Sequence, residues 1–301
     1  MDGILCINKP TDFTSFDVIA KIRGMSKTKR VGHSGTLDPM ATGVLPIFIG
    51  MATKACDLLP EDNKTYIADF KLGIKTDTLD ISGEILNECE TNLSRNDILP
   101  ILDSFRGNIF QTPPMYSAVK INGQRLYDIA RQGKEVQRPK KNVTIFKLEL
   151  TNYDDFSQSG TLEIVCSKGT YIRTIIADIG DILGCGAVMT ALCRTKACGF
   201  PIEKSITLQQ AQELTSKNLL QTALLPVDEF FGFLPKIQLD EVQSDKFVHG
   251  VQLDFTRIEH QDIFDSLHRV YNFENKFLAL AELREADTAL VVKKMFAKRD
   301  F

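Results

Sequence analysis

The sequence predicts an α+β fold with one larger domain and a smaller β-rich domain after it. Over the first 231 residues, short apolar runs bounded by glycine or proline alternate with a few amphipathic segments, which is typical of buried strands between helices. Beyond that point the chain changes to short β-like runs separated by polar turns. With 301 residues, of which 43% are hydrophobic, the chain can bury one sizeable core and a smaller second one. We therefore predict domains at residues 1–231 and 232–301.

The composition argues against secreted, metal-binding and membrane-spanning proteins. The seven cysteines are odd in number and form no C-x-x-C pair, and the four histidines show no paired spacing, so we expect reduced thiols and no metal. No stretch approaches the roughly 20 apolar residues of a spanning helix. The initial residues, MDGILCINKP, contain no basic and apolar leader. We expect a cytoplasmic protein without a membrane partner.

The first elements follow from periodicity and capping residues. Apolar runs predict strands at 3–8 and 44–49, and alternation predicts a strand at 64–72. Between the first two strands, Ser15 is placed to cap a helix that continues to about Gly24. A capping box predicts a helix at 94–104. Further alternation predicts strands at 142–151 and 160–167, and an apolar stripe predicts a helix at 172–183.

An inserted arm is predicted at residues 111–141. This stretch loses strand periodicity and is bounded by prolines, and we expect it to carry one short helix. Although the formal net charge of the chain is −3, cations concentrate in and just after the arm, with only Asp128 and Glu135 among them as acids. Such a run is either a phosphate-binding surface or an ordinary solvated one. The cations are Lys120, Arg125, Arg131, Lys134, Arg138, Lys140, Lys141 and Lys147.

The β-rich domain is predicted from five short runs after residue 231. Each run combines apolar or β-branched residues with polar turn residues on either side. The runs are IQLDEV, HGVQLDF, RVYNF, FLALAEL and ALVVKKMF.

The most informative segment is the loop from Val31 to Gly43, VGHSGTLDPMATG. Its glycines and Pro39 restrict the backbone conformation. Asp38 lies between Leu37 and Pro39, so we expect its carboxylate to belong to an apolar, recessed loop, and a recessed carboxylate needs a partner. The alternative is that Asp38 is only a turn or helix-capping residue.

Arg173 is the candidate partner of this carboxylate. It lies in the first turn of a predicted apolar helix, where a cation opposes the helix dipole. Its position is explained if it faces Asp38, keeps the carboxylate ionised and lowers its pKa. The alternative is a surface arginine. Tyr66, in the predicted strand at 64–72, is either a core or rim residue or an aromatic platform.

An ionised carboxylate beside a cation in an apolar pocket can act as a nucleophile or stabilise an oxocarbenium-like centre. These residues alone do not distinguish a glycosidase from an RNA enzyme. The lack of a convincing second carboxylate near Asp38 in the sequence disfavours the usual two-carboxylate hydrolase.

The loop around Asp38 resembles the catalytic motif of TruB-type tRNA pseudouridine synthases. The matching runs are GHSGTLDP, from Gly32, and ATGVLP, from Ala41. The sequence departs from the family pattern at Asp12, where glycine is usual. Further matching motifs are Lys9-Pro10 with Ser15, Ala52-Thr53-Lys54, Lys64-Thr65-Tyr66, PPMYSAVK from Pro113 with Gly123 and Leu126-Tyr127, and Gly169-Thr170-Tyr171-Ile172-Arg173.

The resemblance implies a pseudouridine-synthase fold, in which helices flank a mixed, largely antiparallel central sheet. It makes residues 1–231 the catalytic domain, the arm at 111–141 a thumb, and residues 232–301 a PUA-like RNA-binding domain. The implied reaction is an isomerisation of uridine 55 in the T-arm of tRNA, by base flipping, cleavage of the glycosidic bond and re-attachment through C5. No cofactor, tRNA as the partner and a monomer are expected.

The resemblance also implies roles for individual residues. Asp38 corresponds to the catalytic aspartate, Tyr66 to the tyrosine that stacks on the flipped base and assists proton removal, and Arg173 to the arginine paired with the aspartate. His33 corresponds to the histidine that takes the place of the extruded nucleotide, and Leu192 to an apolar residue that brackets the base. The resemblance also makes four further residues substrate-binding: Lys9, Lys54, Lys64 and Tyr171.

Two rival functions stay open at this point. One is a non-catalytic tRNA-binding or folding protein, against which the presence of Asp38, Tyr66 and Arg173 weighs, because binding alone requires no ionised carboxylate beside the base. The other is a nucleoside glycosidase, which would release free uracil.

Overall fold

The computed structural model describes residues 1–59, 63–121, 123–260 and 263–297. Within them, two sheets define the architecture, a nine-stranded sheet in the first part of the chain and a five-stranded sheet in the last. Helices flank the larger sheet, so the predicted α+β class is confirmed. No helix among these residues is both long and apolar enough to cross a membrane.

The large sheet is mixed but mostly antiparallel, as predicted. Its order is β1-β3-β12-β4-β11-β10-β7, with β2 paired to β3 and β13 to β12, and the pairing of β3 with β12 is parallel. β5 pairs with β6 and β8 with β9 as separate hairpins. In chain order, the strands are β1 (Gly3–Lys9), β2 (Val31–His33), β3 (Thr42–Ile49), β4 (Lys64–Leu72), β5 (Ile74–Thr76), β6 (Ile85–Glu88), β7 (Gly107–Gln111), β8 (Lys120–Ile121), β9 (Gln124–Arg125), β10 (Lys141–Asp154), β11 (Ser159–Cys166), β12 (Ala187–Ala197) and β13 (Phe200–Pro201).

Four helices cover one face of this sheet and share its main core. Each of these helices places a buried side chain in that core, and burial of this apolar surface stabilises the packing. Examples are Val18, Ile98, Ile175 and Ala211. The helices of the chain are α1 (Ser15–Ser26), α2 (Arg95–Ser104), α3 (Leu126–Ala130), α4 (Ile172–Ile182), α5 (Leu208–Ser216), α6 (Val227–Phe230) and α7 (Glu241–Val248).

The cap of α1 differs from the prediction. Thr14, not Ser15, is the N-cap, and it forms a capping box with Asp17. Ser15 is buried, and its hydroxyl accepts a hydrogen bond from the backbone N–H of Leu37 (2.9 Å) and donates one to the carbonyl of the same residue (3.2 Å). The Ser15 hydroxyl therefore supports the loop before Asp38 rather than the helix end. The predicted capping box of α2 is present.

The arm carries one short helix, α3, as predicted, and also a small hairpin that was not predicted. The hairpin consists of β8 and β9, and Asn122 between them lies outside the described residues. The guanidinium of Arg131 lies 4.3 Å from the ring centroid of Tyr127, which orders one cation on the exposed side of α3.

The five β-like runs after residue 231 all contain a strand. The strand order is β14-β16-β17-β18-β15. Helix α7, which starts in the first of these runs, was not predicted. The predicted domain extends to residue 301, of which 261–262 and 298–301 lie outside the described residues. The strands are β14 (Lys236–Gln238), β15 (Leu253–Asp254), β16 (Leu267–Tyr271), β17 (Phe277–Arg284) and β18 (Ala289–Met295).

A separate apolar cluster joins the five-stranded sheet to the other face of the large sheet. Ile4 and Phe48, from β1 and β3, pack in one cluster with Phe231, Leu280 and Phe296. Polar contacts flank it: the ammonium of Lys54 donates to the carbonyl of Met295 (2.6 Å), and Lys294 pairs with Asp57 (2.5 Å). The two sheets therefore share buried apolar surface.

Candidate active site

One open cavity, of about 830 Å³, lies where the loop before β3 meets the edges of β4 and β12 and the first turn of α4. The sheet order places β12 between β3 and β4, so residues 31–43, Tyr66 and Leu192 come together although they are distant in sequence. The 56–59 segment and residues 117–119 of the arm complete the walls.

Asp38 lies at this cavity and is bound by Arg173 through both carboxylate oxygens. Nε of Arg173 is 3.0 Å from one oxygen, and Nη2 donates to the other at 3.1 Å. The arginine side chain is 6% exposed and the aspartate side chain 35% exposed. The fork of the guanidinium matches the carboxylate geometry, so Asp38 is fixed in orientation while its outer surface faces the cavity.

A second carboxylate, Asp80, approaches Arg173 from the other side. Its oxygen lies 3.4 Å from Nη1 of Arg173, and the side chain is buried. The hydroxyl of Thr78 (2.9 Å) and the backbone N–H of Ser82 (3.1 Å) donate to Asp80. The carbonyls of Thr78 and Tyr116, both at 2.9 Å, accept from Arg173. The guanidinium is thus held rigidly between two anions.

The pKa of Asp38 differs in direction from the sequence prediction. Burial raises the pKa of the Asp38 carboxyl, the Arg173 guanidinium lowers it, and the nearby Asp80 charge raises it again, so that it lies above its ordinary value. Arg173 thus lowers this pKa as predicted, but burial and the second carboxylate raise it by more.

Lys9 supports the backbone of the loop that carries Asp38. Its ammonium is 0% exposed and donates to the carbonyls of Pro10 (2.8 Å), Phe13 (2.5 Å) and Pro39 (3.0 Å). With three donors bonded to three carbonyls, the ammonium is satisfied without a substrate. Burial lowers the pKa of Lys9 to about 8.

The wild type is expected to gain stability relative to Lys9→Met as the pH rises from about 8 to 10.5. In this interval the unfolded chain keeps Lys9 protonated, while the folded chain has lost that proton. The unfolded state therefore binds more protons, and the free energy of unfolding increases with pH, by at most about 1.4 kcal/mol per pH unit. Urea unfolding of both proteins at several pH values measures the difference, in which other titrating groups cancel. Parallel pH profiles would contradict the assignment.

Tyr66, Leu192 and His33 form the less polar walls of the cavity. Tyr66 and Leu192 are buried among the main core residues, so only one side of each faces the cavity. Burial and the charge of Arg194 lower the pKa of His33, which favours the neutral imidazole. An aromatic ring, an aliphatic side chain and an oriented carboxylate suit a planar, uncharged ring beside a centre that develops positive charge.

Comparison with known proteins assigns the chain to a family. Residues 23–172 match the model of the TruB family pseudouridylate synthase N-terminal domain, and residues 173–231 match that of the tRNA pseudouridylate synthase B C-terminal domain. The tRNA pseudouridine synthase B of Clostridium kluyveri is 42% identical over 93% of this chain and 95% of that protein. That of Dehalococcoides mccartyi is 43% identical over 94% of this chain and 92% of that protein. The chain belongs to the TruB family of pseudouridylate synthases.

Solved structures support the TruB-family fold. The chain matches one chain of a Cbf5-Nop10-Gar1 complex with a TM-score of 0.73 and 25% identity, over 99% of this chain and 86% of that one. It matches a chain of an H/ACA RNP bound to a substrate RNA containing 2'-deoxyuridine with a TM-score of 0.72 and 23% identity, over 99% of this chain and 86% of that one. The predicted pseudouridine-synthase fold is confirmed, and as a TruB-family member the chain is an isomerase.

The structure brings most of the predicted site residues of this TruB-family chain together and separates two of them. Lys9 lies beneath the loop that carries Asp38, and Lys54 lies at the junction with the five-stranded sheet. Neither lines the cavity, so direct substrate contact by these two lysines does not fit their positions. The predicted residues that line the cavity are His33, Asp38, Lys64, Tyr66, Tyr171, Arg173 and Leu192.

Sequence reasoning missed two charged residues of the TruB-family site. Asp80 follows Leu79, whose φ of 63° lies in the left-handed region, and the polar run TDTLDISG around it was the only local sign of a fixed turn. Arg194 lies two residues after Leu192, so both side chains point to the same face of β12. The alternation of β12 was a usable signal for Arg194.

Position 12, where the sequence departs from the expected motif, has a left-handed backbone. The φ of Asp12 is 62°, and its N–H donates to the carbonyl of Pro39 (2.9 Å). Aspartate tolerates this conformation better than most residues, so the loop next to Asp38 retains its contact despite the substitution.

Proposed function

We propose that the chain converts uridine 55 in the T-arm of tRNA to pseudouridine, with Asp38 as the catalytic residue. The observation that carries this proposal is the carboxylate of Asp38, bound through both oxygens by Arg173 and open to a cavity walled by Tyr66 and Leu192. The family and its relatives, which are named for tRNA pseudouridine synthesis, support the substrate.

The cavity is suited to a base that has left its helix. A paired or stacked uracil cannot turn over in place, so unstacking has to be offset by contacts in the enzyme. Tyr66 offers an aromatic face, Leu192 an apolar contact, and neutral His33 a flat group at the cavity rim that fills the gap left in the RNA.

Asp38 then assists cleavage of the glycosidic bond, either by attack on the base or sugar or by accepting a proton from the ribose. Uracil turns and rejoins the ribose through C5, and Tyr66 assists loss of the C5 proton. Arg173 keeps the carboxylate ionised and aimed, since its fork holds both oxygens. The reaction conserves all atoms of the nucleoside and requires no cofactor.

The RNA contacts of the proposal extend beyond the cavity. The arm contains exposed cations. Residues 117–119 of the arm line the cavity itself. Residues 1–231 form the catalytic domain in this proposal, and residues 232–301 a PUA-like domain that contacts RNA. Folded RNA is recognised largely through its shape and backbone, which suits the exposed cations of the arm beside the cavity.

Binding of tRNA is expected to depend steeply on salt, and the arm is expected to account for part of the slope. Arg125 and Lys134 are exposed, and each phosphate contact contributes roughly 0.7 to 0.9 to the slope of log affinity against log salt. The Arg125→Gln/Lys134→Gln variant should lose about 1.5 of that slope. A control with Lys71→Gln and Lys217→Gln, two exposed lysines outside the arm, should keep it. An unchanged slope in the arm variant would rule out this role.

The reaction is tested with tRNA tritiated at uracil C5. We expect tritium release into water, no free uracil, and no release from a transcript whose uridine 55 is replaced by cytidine. Free uracil would identify a glycosidase instead. Tight binding without release would identify a non-catalytic binding protein, and either outcome would overturn the proposal.

A further inference from the structure

Arg194 is a buried cation whose charge is not neutralised in the structure. Its side chain is 0% exposed, and no described carboxylate lies within ion-pairing distance of it, in contrast to Arg173 with its two anions. Burying an ionised group without a counter-charge is costly. A guanidinium in this position therefore requires an explanation other than an ion pair.

Two hydrogen-bond donors of Arg194 bind the chain on either side of Asp38. Nε of Arg194 donates to the carbonyl of Val44 (2.7 Å), and Nη2 donates to the carbonyl of Gly35 (3.0 Å). Asp38 lies between these two positions in the chain. One planar group therefore fixes the distance between the start and the end of the segment that carries the catalytic carboxylate.

Gly43 allows the backbone of β12 to approach this loop closely. A Cβ atom at position 43 would lie 2.2 Å from the carbonyl oxygen of Arg194, and the φ of Gly43 is +100°. Only glycine satisfies both conditions. The loop therefore contacts both the backbone and the side chain of Arg194.

On its other side, Arg194 faces Tyr66. The two residues are directly opposite each other in the antiparallel pairing of β12 with β4, while Gly43 is opposite Arg194 in the parallel pairing with β3. Directly opposite residues have Cβ atoms roughly 5 Å apart on the same face of a sheet. Nη1 of Arg194 is buried and has no hydrogen-bond partner among the residues that the structure describes.

The Tyr66 hydroxyl is the polar group to which Nη1 of Arg194 can donate a hydrogen bond. Burial raises the pKa of Tyr66, and the Arg194 guanidinium opposes that rise. An arginine only donates hydrogen bonds, so a contact with Arg194 uses a lone pair of the tyrosine oxygen and directs the hydroxyl hydrogen elsewhere.

We propose that Arg194 is a positioning residue that sets Asp38 and Tyr66 in place relative to each other. It holds the loop of Asp38 through the carbonyls of Gly35 and Val44, and its buried Nη1, which has no partner among the described residues, is the donor available to the oxygen of Tyr66 on the neighbouring strand. The inference rests on the proposed function, in which Asp38 and Tyr66 act on the same flipped base. The buried charge of Arg194 is then explained by two carbonyl acceptors that flank Asp38 in the chain and by its place opposite Tyr66.

The test compares Arg194→Lys and Arg194→Gln with the wild type in single-turnover tritium release from bound tRNA. Lysine keeps the charge but not the fork, so both substitutions should lower the rate about 100-fold, as expected for a displacement of reacting groups of about 1 Å. The affinity for tRNA should stay within about twofold, because Arg194 does not touch RNA in this proposal. Arg106→Lys is the matched control, since Arg106 also donates through Nε and Nη2 to a backbone carbonyl, that of Leu148, but does not line the cavity.

A double-mutant cycle with Tyr66→Phe separates positioning from a general structural role. If Arg194 acts partly through the Tyr66 hydroxyl, the Arg194→Lys/Tyr66→Phe variant should lose clearly less activity than the product of the two single losses. Losses that multiply, an unchanged rate, or a loss confined to tRNA affinity would each overturn the proposal. So would failure of both Arg194 variants to fold under conditions where Arg106→Lys folds. Absence of release from the wild type would instead refute the proposed function itself.

Discussion

Replacement of Asp38 by asparagine is expected to abolish tritium release from tRNA while leaving tRNA affinity nearly unchanged. Asparagine keeps the size of the side chain and can still accept hydrogen bonds from Arg173, but it neither attacks the base or sugar nor accepts a proton. The loss should be on the order of 10⁴-fold or more, as for other residues that act directly on the reacting atoms. Single-turnover release and filter binding measure the two quantities.

Asp103→Asn serves as the matched control for this substitution. Asp103 is an exposed aspartate on α2 whose partner is a neighbouring arginine, Arg106, so the same chemical change occurs away from the cavity. Its rate should equal that of the wild type. Turnover by Asp38→Asn at the control rate would refute the catalytic assignment, and a parallel loss of tRNA binding would show that Asp38 mainly contributes to recognition.

Arg173→Lys is expected to have the second largest effect, a loss of rate of about 10² to 10³-fold. A lysine keeps the positive charge, but its ammonium is a point charge that cannot hold both oxygens of Asp38 and also reach Asp80 and two carbonyls. The carboxylate then loses its fixed orientation, and misorientation by about 1 Å is sufficient for a loss of this size. The rate with bound tRNA measures the effect.

The comparison with Arg173→Met separates charge from geometry at this position. Methionine removes the cation that lowers the pKa of Asp38, so the pKa rises further and the acidic limb of the rate profile should move to higher pH. In Arg173→Lys this limb should move less, while the maximal rate still falls. A full rate in Arg173→Lys would mean that charge alone is required and that the two-oxygen contact is incidental.

The strands could be predicted from the sequence because their signals are local. The alternation in residues 64–72 matches β4 residue for residue, and each β-like run after residue 231 contains a strand. Local signals fail where a distant segment competes for the same group. Ser15 has the chemistry of a helix cap, but its hydroxyl bonds to Leu37, 22 residues away, and Thr14 caps the helix instead.

The same limit explains which parts of the candidate site were found. Asp38 was identified from the composition of its own loop, and Arg173 from its unfavourable place in a helix. Asp80 and Arg194 have unremarkable neighbours in sequence, and their partners lie 93 and 159 residues away. The sheet order, which places β12 between β3 and β4, brings Arg194 to the loop of Asp38, and the ion pairs of Arg173 bring Asp80 to the same place.

The apolar junction between the two sheets determines how RNA binding by the C-terminal residues can be studied. Ile4 and Phe48 are covered by Phe231, Leu280 and Phe296, so a chain truncated near residue 231 would expose aliphatic and aromatic surface to water and favour aggregation. Inactivity of such a fragment would report misassembly rather than a lost RNA contact. Substitutions of exposed residues in the intact chain are the informative way to map that surface.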